Sequence, residues 1–188
     1  MMNKIFYKHY VFLEQINELI ENNLLKFNNL NIIISVNNNK NALDTEINII
    51  NFAKIHKIPF LFKNNVRKCI KYNSDGIYIE ANNRETIKTT LFKKDFLIIG
   101  AAHNQLEYYF KKRQNCKIIA LSPIFYNPKF SKNKILGVIK FNLITRFWIG
   151  GLCALGGINK TNIKRIGITK ASNIAFQRYI TKQKNPPT

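Results

Sequence analysis

The chain has 188 residues, of which 30 are Lys or Arg and 10 are Asp or Glu, so its formal net charge is +20. Hydrophobic residues make up 46% and aromatic residues 12%, enough apolar side chains to exclude a disordered polyelectrolyte. The length suits a single domain over residues 1–188, and no apolar run of about eighteen residues could span a membrane. The first residues lack the features of a secretory signal, which predicts a cytoplasmic protein.

The positive charge has two interpretations. Charge of this size is typical of nucleic-acid-binding proteins, but such proteins concentrate Lys and Arg on one face. Here the basic residues are dispersed, and Lys111-Lys112-Arg113 is the densest cluster. A solvated surface is therefore favoured, and nucleic acid is the less favoured partner. The three cysteines form no C-x-x-C pair, so no zinc site is predicted.

Eight short apolar runs alternate with longer amphipathic segments. Continuous apolar runs of four or five residues are typical of strands covered on both faces. The runs are 10–13, 31–35, 59–62, 76–79, 96–100, 117–121, 152–155 and 173–176. Residues 44–57 and 104–114 have helical spacing, and Leu106, Tyr109 and Phe110 are expected on one face of the second. Alternating strands and helices indicate a parallel sheet, and eight strands favour a (β/α)8 TIM barrel over an open sheet.

The chain is short for this fold, which typically takes about 250 residues. Only residues 177–188 follow the eighth run. We therefore expect a compact barrel with a truncated last helix and a disordered tail at 181–188. Either a helical stub or a second subunit would cover the gap, so a homo-oligomer is an open alternative.

Functional groups of such barrels lie on the loops after the carboxyl ends of the strands. After the seventh run, Gly156-Gly157 is expected to open a helix whose free amides bind phosphate, with a plain turn as the alternative. After the fifth run, His103 is a candidate general acid or base, or a simple loop histidine. After the third, Asn64 and Asn65 either bind a ligand or form a turn.

Short motifs of this chain occur in the order found in the thiamine phosphate synthase/TenI family, from about residue 59 to 178. Pro59–Asn65 resembles "iPfiiND", Ser74–Ile79 resembles "aDGvHlgqeD", Leu121–Phe125 resembles "GPiFpTxTK", Ala154–Asn159 resembles "AiGGIn", and Ile174–Phe176 resembles "giAv". His103 resembles the histidine after the family's fifth strand. The family's fold is a (β/α)8 barrel, in agreement with the strand count.

The resemblance implies that a pyrimidine pyrophosphate is joined to a thiazole phosphate, which forms thiamine phosphate and releases pyrophosphate. That chemistry implies Mg²⁺ as cofactor and a phosphorylated small molecule as ligand. Glu80 is the acid directly at a strand's carboxyl end and is the candidate metal ligand. The other candidate residues are His103 and Lys132 for catalysis, Asn64, Asn65, Ser122, Asn127 and Lys129 for substrate binding, and Gly156, Gly157, Ile158, Gln177 and Arg178 for phosphate binding.

The departures from the family pattern cluster on the metal and pyrophosphate motifs. Asn65 and Asn83 stand where the family has carboxylates, and residues 35–40 replace the cationic "QxReK" signature. The TenI branch has a catalytic histidine where this chain has Pro123, so that activity is not supported. Three hypotheses follow: a synthase, a catalytically degenerate barrel that binds a phosphorylated small molecule, and a basic nucleic-acid-binding protein.

Overall fold

Eight parallel strands close into a barrel in sequence order, as the apolar runs predict. The computed structural model describes residues 7–37, 41–88, 90, 92–128 and 130–176. The strands are β1 Lys8–Leu13, β2 Leu30–Ile34, β3 Phe60–Lys63, β4 Gly76–Ile79, β5 Leu97–Ala102, β6 Ile118–Leu121, β7 Gly151–Leu155 and β8 Asn173–Phe176. Within this described part, no helix has the length and apolar character needed to cross a membrane.

Five α-helices surround the described barrel: α1 Glu18–Leu24, α2 Ala42–Ile55, α3 Val66–Tyr72, α4 Gln105–Arg113 and α5 Gly137–Ile144. Two crossovers differ from the usual pattern of the fold. Between β4 and β5 the described residues form no α-helix, and between β7 and β8 they form only a 3₁₀ helix, Ile163–Ile168. The predicted truncation after β8 and the tail at 181–188 lie outside the described residues.

The strands are mostly apolar because they are buried on both faces. Along β1, Tyr10 and Phe12 belong to the cluster inside the barrel, whereas Val11 and Leu13 pack in the layer between strands and helices. All four are less than a tenth exposed. At the upper end of the interior, the rings of Phe12 and Tyr78 meet edge to face with centroids 4.9 Å apart. Both rings also line the cavity at the carboxyl ends of the strands.

Asparagine performs much of the local turn chemistry of this chain. The side chains of Asn17, Asn65 and Asn104 accept a backbone N–H at the starts of α1, α3 and α4. Four more asparagines adopt positive φ, a conformation that Asn tolerates better than most residues: Asn29, Asn64, Asn73 and Asn115. The richness in Asn is therefore partly a structural feature.

Helix α4 buries a face other than the one that carries Leu106, Tyr109 and Phe110. Leu106 and Tyr109 are 63% and 51% exposed, whereas Tyr108 and Lys111 are buried. The apolar spacing therefore does not identify the buried face of this helix. The helix is turned so that Lys111 reaches the crossover between β4 and β5, whose described residues form no α-helix.

Candidate functional site

The carboxyl ends of the strands surround a cavity of about 600 Å³. Of the residues predicted for function, those that line it are Glu80, His103, Ser122, Asn127, Gly156, Gly157 and Ile158. Asn64 and Asn65 lie beside the cavity without lining it, and Lys132 is exposed at the start of a 3₁₀ helix, Lys132–Lys134. The predictions for Lys129, Gln177 and Arg178 lie outside the described residues.

The Gly156-Gly157 pair forms a tight turn after β7. Its φ angles are +91° and +72°, and a Cβ on Gly157 would lie 2.4 Å from the carbonyl oxygen of Tyr126. Glycine is therefore required by both conformation and space. The N–H groups of Gly157 and Ile158 donate to no acceptor among the described residues. Two N–H groups at the cavity wall, without an acceptor among the described residues, are candidate donors to a phosphate.

The expectation that the glycine pair opens a helix was wrong. Residues 158–162 form turns, in which the Asn159 side chain accepts from the N–H groups of Thr161 and Asn162. The next helix is the 3₁₀ helix at Ile163–Ile168. The candidate phosphate site therefore depends on turn amides and gains nothing from a helix dipole.

His103 is held at the cavity wall by the loop after β6. Its Nδ1 lies 2.9 Å from the carbonyl oxygen of Ser122 and 3.0 Å from the Ser122 hydroxyl. A carbonyl oxygen only accepts, so the contact with the Ser122 carbonyl requires a proton on Nδ1, whereas the Ser122 hydroxyl can also donate to an unprotonated Nδ1. In the tautomer that donates to the carbonyl oxygen, Nε2 keeps its lone pair and can accept a proton or a hydrogen bond. The His103 N–H donates to Glu107 at 2.7 Å, which orients the backbone.

A polar network joins the loops after β3 and β4. Lys63 Nζ lies 2.8 Å from Glu80 Oε1, and Asn64 Nδ2 donates to Glu80 Oε2 at 2.7 Å. The Glu80 N–H in turn donates to Asn64 Oδ1 at 2.9 Å. Both carboxylate oxygens of Glu80 therefore hold a donor. The positive φ of Asn64 agrees with the turn alternative for this residue.

The two asparagines at the family's carboxylate positions serve the backbone. Asn65 Oδ1 accepts the Lys68 N–H at 2.9 Å and caps α3, and Asn83 Oδ1 accepts the Glu85 N–H at 2.8 Å. Mg²⁺ needs several oxygen ligands, usually including one or two carboxylates. Over the described ranges, no group of three acidic, His or Cys side chains could hold a metal. With Glu80 also paired, these donors do not fit a resident Mg²⁺ ion.

A buried ammonium fixes the loop that carries Glu80. Lys111 Nζ donates to the carbonyl oxygens of Glu80 and Asn83, both at 2.6 Å, and to Gln114 Oε1 at 2.9 Å. The amide of Gln114 donates to the carbonyls of Asn83 and Glu85. Burial lowers the pKa of the Lys111 ammonium. Because this crossover has no described helix to occupy its carbonyls, α4 supplies the donors instead.

Lys63, Tyr78 and Glu107 are among the lining residues of the cavity that the sequence analysis did not propose. Tyr78 points inward from β4, and burial raises the pKa of its phenol, with smaller contributions from Cys153 and Glu80. It therefore stays protonated and can donate to a ligand. Tyr78 was not proposed because an aromatic residue within a buried strand is expected to belong to the apolar core. Lys63 was not proposed because the neighbouring Asn64 and Asn65 were taken as the candidate ligand-binding residues after the third strand.

The chain matches known proteins over most of its length. The family model described as thiamine monophosphate synthase matches residues 12–180. The thiamine-phosphate synthase of Flavobacterium psychrophilum is 28% identical over 134 residues, which are 68% of this chain and 65% of that protein. The thiamine-phosphate synthase of Staphylococcus haemolyticus is 24% identical over 144 residues, 74% of this chain and 66% of that one. The match thus spans slightly less than two thirds of these relatives.

Solved structures share the barrel at low sequence identity. A thiamine phosphate pyrophosphorylase from Pyrococcus furiosus has a TM-score of 0.76 at 15% identity, with 96% of this chain and 90% of that chain covered. One from Bacteroides thetaiotaomicron has a TM-score of 0.61 at 14% identity, with 92% and 83% covered. At such identities the structures support the fold alone. The family match over residues 12–180, in contrast, shows that the chain belongs to the thiamine monophosphate synthase family.

Proposed function

We propose that this protein joins a pyrimidine pyrophosphate to a thiazole phosphate and releases pyrophosphate. The observation that carries the proposal is one cavity, at the carboxyl ends of a barrel of this family, that holds both the Gly157 and Ile158 amides and the ring of His103. The thiamine-phosphate synthases among its relatives support the same chemistry. A cytoplasmic location and a homo-oligomer remain predictions from the sequence.

In this reaction the thiazole nitrogen attacks the carbon that bears the pyrophosphate. A carbon–nitrogen bond forms, the carbon–oxygen bond breaks, and the bonding pair leaves with pyrophosphate. The amides of Gly157 and Ile158 would hold the phosphate of the thiazole. His103 Nε2 would accept a hydrogen bond from a substrate donor, and the Tyr78 hydroxyl would donate one. The positions of Lys129, Lys132, Gln177 and Arg178 supply further predicted contacts with the phosphates.

The resemblance implies Mg²⁺, but the described residues do not supply the oxygen ligands that a resident ion needs. When bound, such an ion neutralises the charge that develops on a leaving pyrophosphate. Glu80 is its predicted ligand, yet the carboxylate is paired with Lys63 and Asn64. The positive charge beside the leaving group must then come from the chain's own cations.

A binding protein without catalysis is the second candidate. The observation that favours it is the engagement of Asn65 and Asn83 with the backbone, which leaves the family's carboxylate positions without a free oxygen ligand. Such a protein would keep the amides of Gly157 and Ile158 and bind the thiazole phosphate. Nucleic-acid binding gains no support from the cavity, and its test is an affinity that falls steeply with salt.

The test is a reaction assay with purified protein and both substrates, followed by detection of thiamine phosphate. We expect product from the wild type and severe loss in Gly157→Ala, because the added Cβ collides with backbone oxygens. Gly167→Ala is the matched control, since the nearest atom to its Cβ lies 3.9 Å away. Absence of product at high enzyme concentration, together with stabilisation by thiazole phosphate, would select the binding protein.

A further inference from the structure

We propose that Lys63 supplies the positive charge for a phosphate or pyrophosphate group of the ligand, so that the Lys63–Glu80 pair forms an anion site that works without a divalent metal. This inference rests on the proposed function only in requiring a phosphorylated ligand. Lys63 ends β3, and its side chain lines the same cavity as Glu80.

The charges of the described cavity wall single out Lys63. Its ammonium is the only Lys or Arg cation among the described lining residues. Two carboxylates line the same wall: Glu80, which faces Lys63, and Glu107, which accepts the His103 N–H. A ligand phosphate at this side of the cavity therefore has Lys63 as its available ammonium within the described wall.

The Lys63–Glu80 ion pair can open so that Lys63 binds a ligand phosphate. Lys63 and Glu80 are 33% and 41% exposed at their side chains, and ion pairs of this exposure are weak. A phosphate group carries more negative charge than one carboxylate and competes for the ammonium. Glu80 Oε2 still accepts from Asn64 Nδ2, and the Glu80 N–H still donates to Asn64 Oδ1. The carboxylate thus stays in place while the flexible lysine stem turns to the ligand.

The role of Glu80 separates this site from a metal site. If Glu80 held Mg²⁺, its replacement by glutamine would weaken pyrophosphate binding in the presence of the metal. If Glu80 competes with the ligand for Lys63, Glu80→Gln frees the ammonium, removes a repulsive charge and strengthens binding. The two accounts therefore predict effects of opposite sign for one conservative substitution.

The experiment is calorimetric titration of the whole protein with inorganic pyrophosphate, in EDTA and again in Mg²⁺. In EDTA we expect Lys63→Met to bind about tenfold more weakly, the loss of one charged hydrogen bond. Lys63→Arg should retain most of the affinity, and Glu80→Gln should gain roughly threefold from the loss of an exposed competing charge.

Lys93→Met is the matched control. Lys93 pairs with Asp75 at 2.7 Å with side chains 40% and 39% exposed, but at the amino end of β4, so its loss should leave affinity unchanged. Wild-type binding that needs Mg²⁺, weaker binding by Glu80→Gln, or no binding in either buffer would each overturn the proposal. Mg²⁺-dependent synthesis of thiamine phosphate would overturn it and leave the proposed function intact. Metal-free pyrophosphate binding without synthesis would overturn the proposed function and leave this inference intact.

Discussion

Replacement of Lys111 by methionine tests how the cavity wall is held. Methionine keeps the unbranched stem that packs against Gly100, where a Cβ would lie 2.7 Å from Lys111 Cδ. It removes three hydrogen bonds from the ammonium and leaves the carbonyl oxygen of Glu80 without that donor. The carbonyl of Asn83 keeps the Gln114 amide at 3.2 Å. The hydrogen bonds are therefore lost mainly at the start of the β4–β5 crossover.

The expected change in the free energy of unfolding follows from two opposing effects. Each charged hydrogen bond contributes about 1.5–3 kcal/mol, and an orphaned buried carbonyl costs about 1–3 kcal/mol. Relief from burying a charge offsets several kcal/mol of this sum. We expect Lys111→Met to lower the free energy of unfolding by about 2–3 kcal/mol, or the melting temperature by about 5–10 °C at this chain length.

The assay combines thermal unfolding with limited digestion by trypsin. The loop contains Arg84 and Lys88, both exposed, so loosening of the loop should accelerate cleavage there. Lys112→Met is the matched control, because within the described part of the chain the Lys112 ammonium contacts aromatic rings, at 5.9 Å from Tyr108, 5.8 Å from Tyr109 and 5.8 Å from Trp148. Its loss should cost about 0.5–1 kcal/mol. Equal stability and equal cleavage rates in Lys111→Met and wild type would refute the reasoning.

Three further changes test other parts of the account. His103→Asn should lower kcat by roughly a hundredfold, whereas Ser122→Ala keeps the carbonyl acceptor and should lower it less; equal losses would show that the Ser122 hydroxyl, and not its carbonyl oxygen, positions the ring. Gly157→Ala should abolish the rise in melting temperature with thiazole phosphate, and Gly167→Ala should retain it. Burial raises the pKa of Cys116 from 9.0 to about 12, so the unfolded chain releases the thiol proton first and stability falls as pH rises above 9. Between about pH 9 and 10 the wild type should lose about 1 kcal/mol more than Cys116→Ala, and parallel curves would exclude this linkage.

The barrel was predictable because its strands have an unusually clear signature. Residues such as Val11 and Phe12 are buried on opposite faces of one strand, so the sequence reads as unbroken apolar runs. The burial of Lys111 was not predictable from periodicity. A lysine beside Lys112 and Arg113 looks like a solvated cluster, and its oxygen ligands come from the crossover between β4 and β5, where the described residues form no α-helix.

The candidate site was partly predictable for a related reason. The loops after parallel strands converge, which brings His103, Ser122 and Gly157 to one cavity from distant positions in sequence. The same rule could not tell whether Asn65 turns to the cavity or to the α3 backbone, because both roles require the same amide. Nor could it reveal that Lys63 and Glu80 pair, since the contact depends on the register between β3 and β4.

Synthesis of thiamine phosphate by the purified protein tests the central claim most directly. The protein is supplied with the pyrimidine pyrophosphate and the thiazole phosphate, and product and released pyrophosphate are measured together, with EDTA and with Mg²⁺ in parallel. The account predicts equal amounts of the two products in both buffers, and their loss in Gly157→Ala. Neither product in either buffer, from folded protein at high concentration, would contradict it.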